Sequence, residues 1–138
     1  MTISQQKATM RKYFPQFSQT WKKGTIIWHG LIRPTELSDE YKIRIKYRLN
    51  FSPNVRVLTP KLQGVRHNEP IPHIYNSGDL CLYLPRTNEW TPSMPIAQTI
   101  VPWTYKWLYF YEFWQVTGTW SGGGEHPRYR SELKRAGQ

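Results

Sequence analysis

A nine-residue stretch in which apolar and cationic side chains alternate constrains the fold more than any other part of the chain. In YKIRIKYRL, residues 41–49, the odd positions hold tyrosine, isoleucine or leucine and the even positions hold lysine or arginine. Successive side chains of a β-strand point to opposite faces, so this period of two predicts a half-buried strand. One face of the predicted sheet therefore packs on a core, and the other presents positive charge to solvent.

Two further strands are predicted beside this one, which gives an antiparallel meander. GTIIWHGLI, residues 24–32, is rich in β-branched side chains. In SPNVRVLTP, residues 52–60, the chain turns at Pro53, and a short strand is predicted over residues 55–58. Residues 80–84 are a candidate fourth strand, and residues 33–40 are expected to form a loop.

Helices are predicted on both sides of the meander. Residues 3–14 form a short helix that Ser4 caps and that ends before Pro15. A long helix is predicted within residues 91–114, where Pro102 either lies in the first turn or kinks the helix. Its apolar residues recur with the helical period, at positions 96, 100, 103, 107, 110, 111 and 114. The expected fold class is α+β.

The remaining segments are irregular, and none of them marks a second domain. Residues 61–79 contain two prolines and two glycines, and a loop of this length without regular structure is often functional. Residues 117–127 are glycine-rich, and a charged tail follows. We expect residues 1–138 to form a single domain, with a core over about 5–115 and with 116–138 as glycine-rich loop and charged tail.

Composition limits the function classes that fit this chain. A single cysteine cannot form an internal disulfide, and the first residues lack the apolar segment of a signal peptide, so a soluble cytoplasmic protein is expected. The most apolar stretch, residues 100–114, is too short to span a bilayer. A formal charge of +10 with seven tryptophans and nine tyrosines suggests nucleic-acid binding, but the basic residues are scattered, and attraction to acidic protein surfaces explains them equally well.

Cys81 is the clearest candidate for a chemically reactive residue. It follows a turn sequence at residues 76–79, and if its neighbours Leu80 and Leu82 face the core of an extended segment, its thiol points the other way. Three alternatives stay open: a buried packing residue, a nucleophile paired with a histidine, and a metal ligand. The spacing gives little support to a metal site, and no cofactor is expected; the candidate partners of the thiol are His67, His73 and His126.

Taken in order, four stretches of the chain resemble the ubiquitin-conjugating enzyme (UBC) family. Each is similar to a family segment: WHGLIRP at 28–34, SPNVRVLTP at 52–60, IPHIYNSGDLCLYL at 71–84 and EWTPSMPIAQTI at 89–100. The third is the specific one, because it matches H-P-N-I-x-x-x-G-x-I-C-L with Cys81 at the catalytic position. His73 replaces the family's asparagine, and residues 117–127 stand where eukaryotic members continue with two more helices. The pattern is nearest the stand-alone bacterial relatives of cyclic-oligonucleotide anti-phage signalling (CBASS) operons.

The resemblance implies a UBC-like fold and a cysteine-based acyl transferase. Cys81 would carry a partner's C-terminus as a thioester and pass it to an amine, with His73 supporting the oxyanion or the amine and His126 as a candidate acid or base. The implied partner is a cGAS-like nucleotidyltransferase or a ubiquitin-like protein, and the need for an activating enzyme stays open. A UBC-like binding module without catalysis is the alternative. Binding roles are expected for Tyr75, Asn76, Arg86, Trp90 and Glu125.

Overall fold

The computed structural model describes residues 1–64, 69–84 and 88–122. The described chain is α+β, as predicted: an N-terminal helix, a four-stranded antiparallel sheet and a long C-terminal helix. Their bounds are α1 Ile3–Tyr13, β1 Ser18–Lys22, β2 Thr25–Ile32, β3 Tyr41–Arg48, β4 Asn54–Thr59 and α2 Ile100–Thr117, with a short 3₁₀ helix at Ile96–Gln98. The sheet order is β1-β2-β3-β4, so each strand pairs with the next in sequence.

The alternation that predicted β3 sets its two faces. Tyr41, Ile43, Ile45 and Tyr47 are each at most 2% exposed, whereas the intervening lysines and arginines are partly or fully exposed. Leu49 was expected to continue the apolar face, but the strand ends at Arg48 and Leu49 is exposed. The buried face of β3 joins inward residues of β2 and α2 in one hydrophobic core.

The fourth strand was predicted in the wrong place. It is β1, which pairs with β2 at the edge of the sheet, and every residue of β1 is exposed. Residues 80–84 form no strand, since their only β-contact is an isolated bridge between Leu80 and Ile74. A polar edge strand lacks the hydrophobic alternation by which strands are recognised in sequence.

β2 carries a glycine where the backbone and a neighbouring ring come into close contact. A Cβ built on Gly30 would lie 2.2 Å from two ring carbons of Phe17, which itself is 8% exposed. No larger side chain fits without displacing Phe17, because such separations are far below van der Waals contact. Glycine at this position therefore allows Phe17, in the segment after α1, to pack directly against the backbone of β2.

The N-cap of the N-terminal helix lies two residues earlier than predicted. Thr2, not Ser4, is the N-cap: its hydroxyl accepts from the Gln5 backbone, and the Gln5 side chain accepts from the Thr2 backbone. This reciprocal capping box satisfies two backbone donors at once. Buried Gln6 then ties α1 to the 3₁₀ helix, donating to the Met94 carbonyl at 3.0 Å and accepting from the Ile96 backbone at 2.9 Å.

The long helix predicted from apolar periodicity is confirmed as α2. Pro102 lies in its first turn, where a missing backbone donor costs nothing, so the helix is not interrupted. Buried residues include Ile100, Trp107, Tyr111 and Trp114. Within the described residues, no helix combines the length and the apolar character that crossing a bilayer requires.

Candidate active site

Cys81 and His73 lie opposite each other at the two ends of a short turn segment, residues 73–81, which we call the hairpin. The Cys81 backbone donates to the His73 carbonyl at 2.9 Å, and Tyr75 donates to the Asp79 carbonyl at 2.8 Å nearer the tip. Gly78 closes the turn with φ of +93°, a conformation that glycine adopts without steric cost. The turn chemistry of residues 76–79 thus brings the predicted nucleophile and the predicted histidine together.

An arginine on β4 clamps the tip of this hairpin to the sheet. Arg56 donates through Nε to Asp79 Oδ1 at 3.1 Å, and its Nη2 donates to the Ser77 carbonyl. The Leu80 backbone also donates to the Val55 carbonyl at 2.8 Å, next to Arg56 in β4. The segment that carries Cys81 is therefore fixed to a core strand on one side of the thiol.

The Cys81 thiol is much less exposed than predicted. Cys81 is 6% exposed and its neighbour Leu80 is 4% exposed, so both residues are buried. The prediction was wrong because it assumed an extended strand, in which alternate side chains point apart, and residues 80–84 are not a strand. The Cys81 Sγ atom lies 3.5 Å from the Tyr83 carbonyl oxygen.

Burial also determines how readily the thiol ionises. Loss of hydration raises the pKa of Cys81, and the negative charge of Glu89 raises it further. Hydrogen bonding from the Tyr75 hydroxyl and with the Tyr83 backbone opposes this effect and lowers the pKa, but burial dominates. Within the described residues, no cation depresses the pKa of the thiol. The expected activation by a basic neighbour is therefore not seen in this part of the chain.

Although buried, Cys81 borders an open groove of about 460 Å³ between the hairpin segment and α2. The walls that the described residues form are mostly aromatic and aliphatic, and they include one carboxylate and one ammonium group. The lining residues are His73, Cys81, Leu82, Tyr83, Leu84, Glu89, Trp103, Lys106, Trp107, Phe110, Trp120 and Gly122. A thiol at the edge of such a groove can be reached by a chain that enters it.

His73 shares this groove with the thiol. Its backbone has φ of +53°, which is uncommon for a residue with a side chain. The Trp107 indole donates to the His73 carbonyl at 2.9 Å, and the imidazole packs on Trp120 with ring centroids 5.0 Å apart. The bond from Trp107 fixes the His73 backbone, and the contact with Trp120 holds the imidazole ring in the groove that Cys81 borders.

The other predicted site residues separate into three groups. Tyr75 interacts with the thiol, and Asn76 is exposed at the hairpin tip. Trp90 is not a groove residue: it is buried in the core, donates to Thr99 at 3.1 Å and packs edge-on against Tyr47. The remaining predictions lie outside the described residues: Arg86, Glu125, His126 and the metal-ligand candidate His67.

Several groove residues were missed from the sequence. Glu89 and Lys106 supply its charges, and Trp120 closes one side by packing against Trp107 and Phe110. The helical period placed Trp107 and Phe110 on α2, but nothing in the sequence places residue 120 back over that helix. Across residues 1–64, 69–84 and 88–122, no three histidine, cysteine, aspartate or glutamate side chains are grouped as a metal site.

Comparison with known proteins identifies the family. None of the curated proteins compared with the chain matches it. The family described as Type II CBASS E2 protein matches residues 6–127, which include most of α1, the sheet, the hairpin with Cys81 and α2. Because this match covers most of the chain, the protein belongs to the Type II CBASS E2 family.

Proposed function

We propose that this protein is an acyl transferase of CBASS anti-phage defence that carries a partner protein's C-terminus as a thioester on Cys81. The observation that carries the proposal is the position of the chain's only cysteine, beside His73 at the edge of an aromatic groove, in a member of an E2 family. We also propose that residues 1–138 form one domain with a UBC-like fold, since the order of helix, sheet, cysteine segment and long helix agrees with the motif order.

Loading of the thiol is the first step. The Cys81 thiolate attacks the activated carbonyl at the end of the partner's chain, so a new C–S bond forms and the bond to the activating group breaks. The thiol proton leaves to solvent or to the departing group. A thioester keeps the acyl group reactive, so the second step needs no further activation.

Transfer to an amine is the second step. The amine attacks the thioester carbonyl, the C–N bond forms, and the C–S bond breaks with Cys81 leaving as thiolate. His73 supports this step: its imidazole can donate a hydrogen bond to the oxyanion or accept a proton from the amine. The contacts with Trp107 and Trp120 favour this role because they restrict the movement of His73.

The groove and the sheet suggest how the partner is held. An aromatic groove of about 460 Å³ accommodates a few residues of an extended tail rather than a folded surface. The outward side chains of β3, Lys42, Arg44, Lys46 and Arg48, provide a cationic surface that attracts an acidic protein. We propose that the partner is the C-terminal tail of a cGAS-like nucleotidyltransferase, since a CBASS E2 acts with other CBASS proteins.

Co-expression with that nucleotidyltransferase tests the loading step. Intact mass of the purified protein is expected to show an adduct that a thiol reductant removes. Cys81→Ser is expected to give an ester that resists the reductant and is cleaved by base, and Cys81→Ala to give no adduct. A reductant-sensitive adduct on the Cys81→Ala protein would exclude the assignment.

His73 variants separate transfer from loading. His73→Ala is expected to slow transfer to an amine by about 10- to 1000-fold, the usual range for one oxyanion donor or general base, with loading nearly unchanged. His73→Asn, which restores the asparagine of the wider family, is the matched variant and is expected to recover part of the rate. Equal defects in loading and transfer would contradict the role.

A binding module without catalysis is the second candidate, and the 6% exposure of Cys81 favours it. In that case the groove would hold a tail without forming a bond. Alkylation of the native protein distinguishes the two functions. If Cys81 is alkylated only at the rate at which the whole chain unfolds, the result supports the binding module. If Cys81 is alkylated faster than the whole chain unfolds, the result supports the transferase.

A further inference from the structure

One amine of the protein lies in the same groove as the thiol. Of the lysines in the described ranges, Lys106 alone lines the groove that Cys81 borders. It is exposed, and no ion pair holds it within those ranges. A lysine in this position is within the space that an acyl group on Cys81 would enter.

The placement of Lys106 follows from the helix that carries it. Trp103, Trp107 and Phe110 also line the groove, and with Lys106 they occupy positions i, i+3, i+4 and i+7 of α2. Residues at this spacing share one face of a helix. Lys106 is therefore on the groove face of a helix, and its long, flexible side chain can reach different positions within the groove.

The groove also holds one carboxylate. Among the described residues, Glu89 is the only acidic one that lines the groove, and its charge raises the pKa of the Cys81 thiol. A negative charge in a partly apolar space attracts an ammonium group, so Glu89 favours the presence of an amine near the thiol. The groove thus contains a nucleophilic thiol, an amine and a counter-charge.

We propose that the Lys106 ε-amine is an acceptor of the acyl group carried on Cys81, so that the protein conjugates the partner's C-terminus to itself. The inference rests on the proposed function and names an acceptor amine for it. The unprotonated amine attacks the thioester carbonyl, an amide C–N bond forms, and the C–S bond breaks with Cys81 leaving as thiolate. One proton of the original ammonium group goes to solvent when the amine forms, and the second goes to the departing thiolate.

Tethering gives Lys106 an advantage over amines in solution. An intramolecular nucleophile held near its electrophile acts at a high effective concentration, without the entropy cost of a second binding event. The product is an amide, which a thiol reductant does not reverse. Self-conjugation therefore converts a transient thioester into a stable link between the E2 and its partner.

A chemical acyl donor tests this without the natural partner. The probe is a short peptide ending in a glycine thioester of 2-mercaptoethanesulfonate, which acylates Cys81 by thioester exchange and releases the small thiol. After removal of excess probe, neutral hydroxylamine cleaves remaining thioester and leaves amides intact. Intact mass then gives the amide fraction, and proteolytic mapping gives its position. The rate of amide formation is expected to rise with pH, because the attacking amine must be unprotonated.

Three variants give matched comparisons. Lys106→Arg keeps the charge and removes the nucleophile, and the amide fraction is expected to fall about 10-fold or more. Lys22→Arg on the exposed edge strand β1, outside this groove, is expected to behave as the wild type. Cys81→Ala is expected to leave Lys106 unmodified, which shows that the acyl group passes through the thiol.

The outcomes separate the two proposals. Thioester on Cys81 that never becomes an amide, or an amide on a different lysine that survives Lys106→Arg, overturns the inference and leaves the proposed function standing. Modification of Lys106 in the Cys81→Ala protein also overturns it, because the thiol is then not the donor. Failure of the native protein to load at Cys81, from the probe and from the co-expressed partner alike, overturns both.

Discussion

The ion pair between Arg56 and Asp79 is expected to set the position of the hairpin that carries Cys81, and its strength can be measured against an internal control. Arg56 contacts both Asp79 and the Ser77 carbonyl, and the two charged side chains are 38% and 21% exposed. The control is Arg33 with Glu40, which are 3.8 Å apart and about half exposed. Both pairs join an arginine to a carboxylate, but only the first holds a turn.

The expected magnitudes follow from geometry and exposure. Charge-assisted hydrogen bonds contribute about 1.5–3 kcal/mol when buried, and partial exposure reduces this, so we expect a coupling energy of about 1 kcal/mol for Arg56 and Asp79. For Arg33 and Glu40, a long and exposed pair, we expect about 0–0.5 kcal/mol. Loosening the hairpin by about 1 kcal/mol raises the population of its open form about fivefold, and alkylation of Cys81 should accelerate by the same factor.

Two assays read these quantities. Urea unfolding of the two single alanine variants, their double variant and the wild type gives the coupling energy for each pair. Alkylation of Cys81 in native buffer, followed by intact mass, gives a rate that is proportional to the population of the open form. Arg56→Lys keeps the charge but lacks the planar fork that reaches both acceptors, so it should resemble Arg56→Ala. Equal coupling energies for the two pairs, with unchanged alkylation of Cys81, would refute the clamp.

Three further predictions concern packing, a buried polar contact and the reactivity of the thiol. Gly30→Ala is expected to lower the free energy of unfolding by about 1–3 kcal/mol, because the added methyl group overlaps the Phe17 ring; urea unfolding measures it, and a neutral result would contradict the packing. Gln6→Leu should cost about 1–3 kcal/mol in the same assay, since it leaves a backbone donor and a carbonyl without their buried partner; a stabilised variant would argue against this. Because burial and Glu89 raise the pKa of Cys81, its thiolate in the native protein should form only above the ordinary thiol range, and Glu89→Gln should shift this titration to lower pH; NMR of isotope-labelled cysteine measures it, and an unshifted titration would show that the charge does not act on the thiol.

The sheet illustrates which parts of the fold sequence patterns can predict. β3 was predictable because one buried face and one solvated face impose a strict period of two on residues 41–48. β1 was not, since an edge strand that is exposed along its whole length has no apolar face to impose a period. The N-cap was placed at Ser4 instead of Thr2 because both hydroxyls satisfy the same local rule, and only the reciprocal contact with Gln5 distinguishes them.

The site was predictable to the extent that its parts are local. The turn at residues 76–79 and the motif around Cys81 lie within one short segment, so the sequence placed His73 and the thiol near each other. The groove was not predictable, because it depends on long-range packing of α2 and Trp120 against that segment. Trp90 was expected to have a binding role, but its large apolar ring is buried in the core.

Burial of Cys81 argues for a thiol whose reactivity depends on what occupies the groove. A thiol with a raised pKa is mostly protonated at neutral pH, so it reacts slowly with small electrophiles in solution. On the proposed function, a partner's tail that fills the groove would bring its activated carbonyl to the sulfur and replace a bimolecular encounter with a local one. Because thiolates of higher pKa are intrinsically stronger nucleophiles, the small ionised fraction attacks effectively once the carbonyl is in place. On the proposed function, the groove then decides which acyl group the thiol accepts.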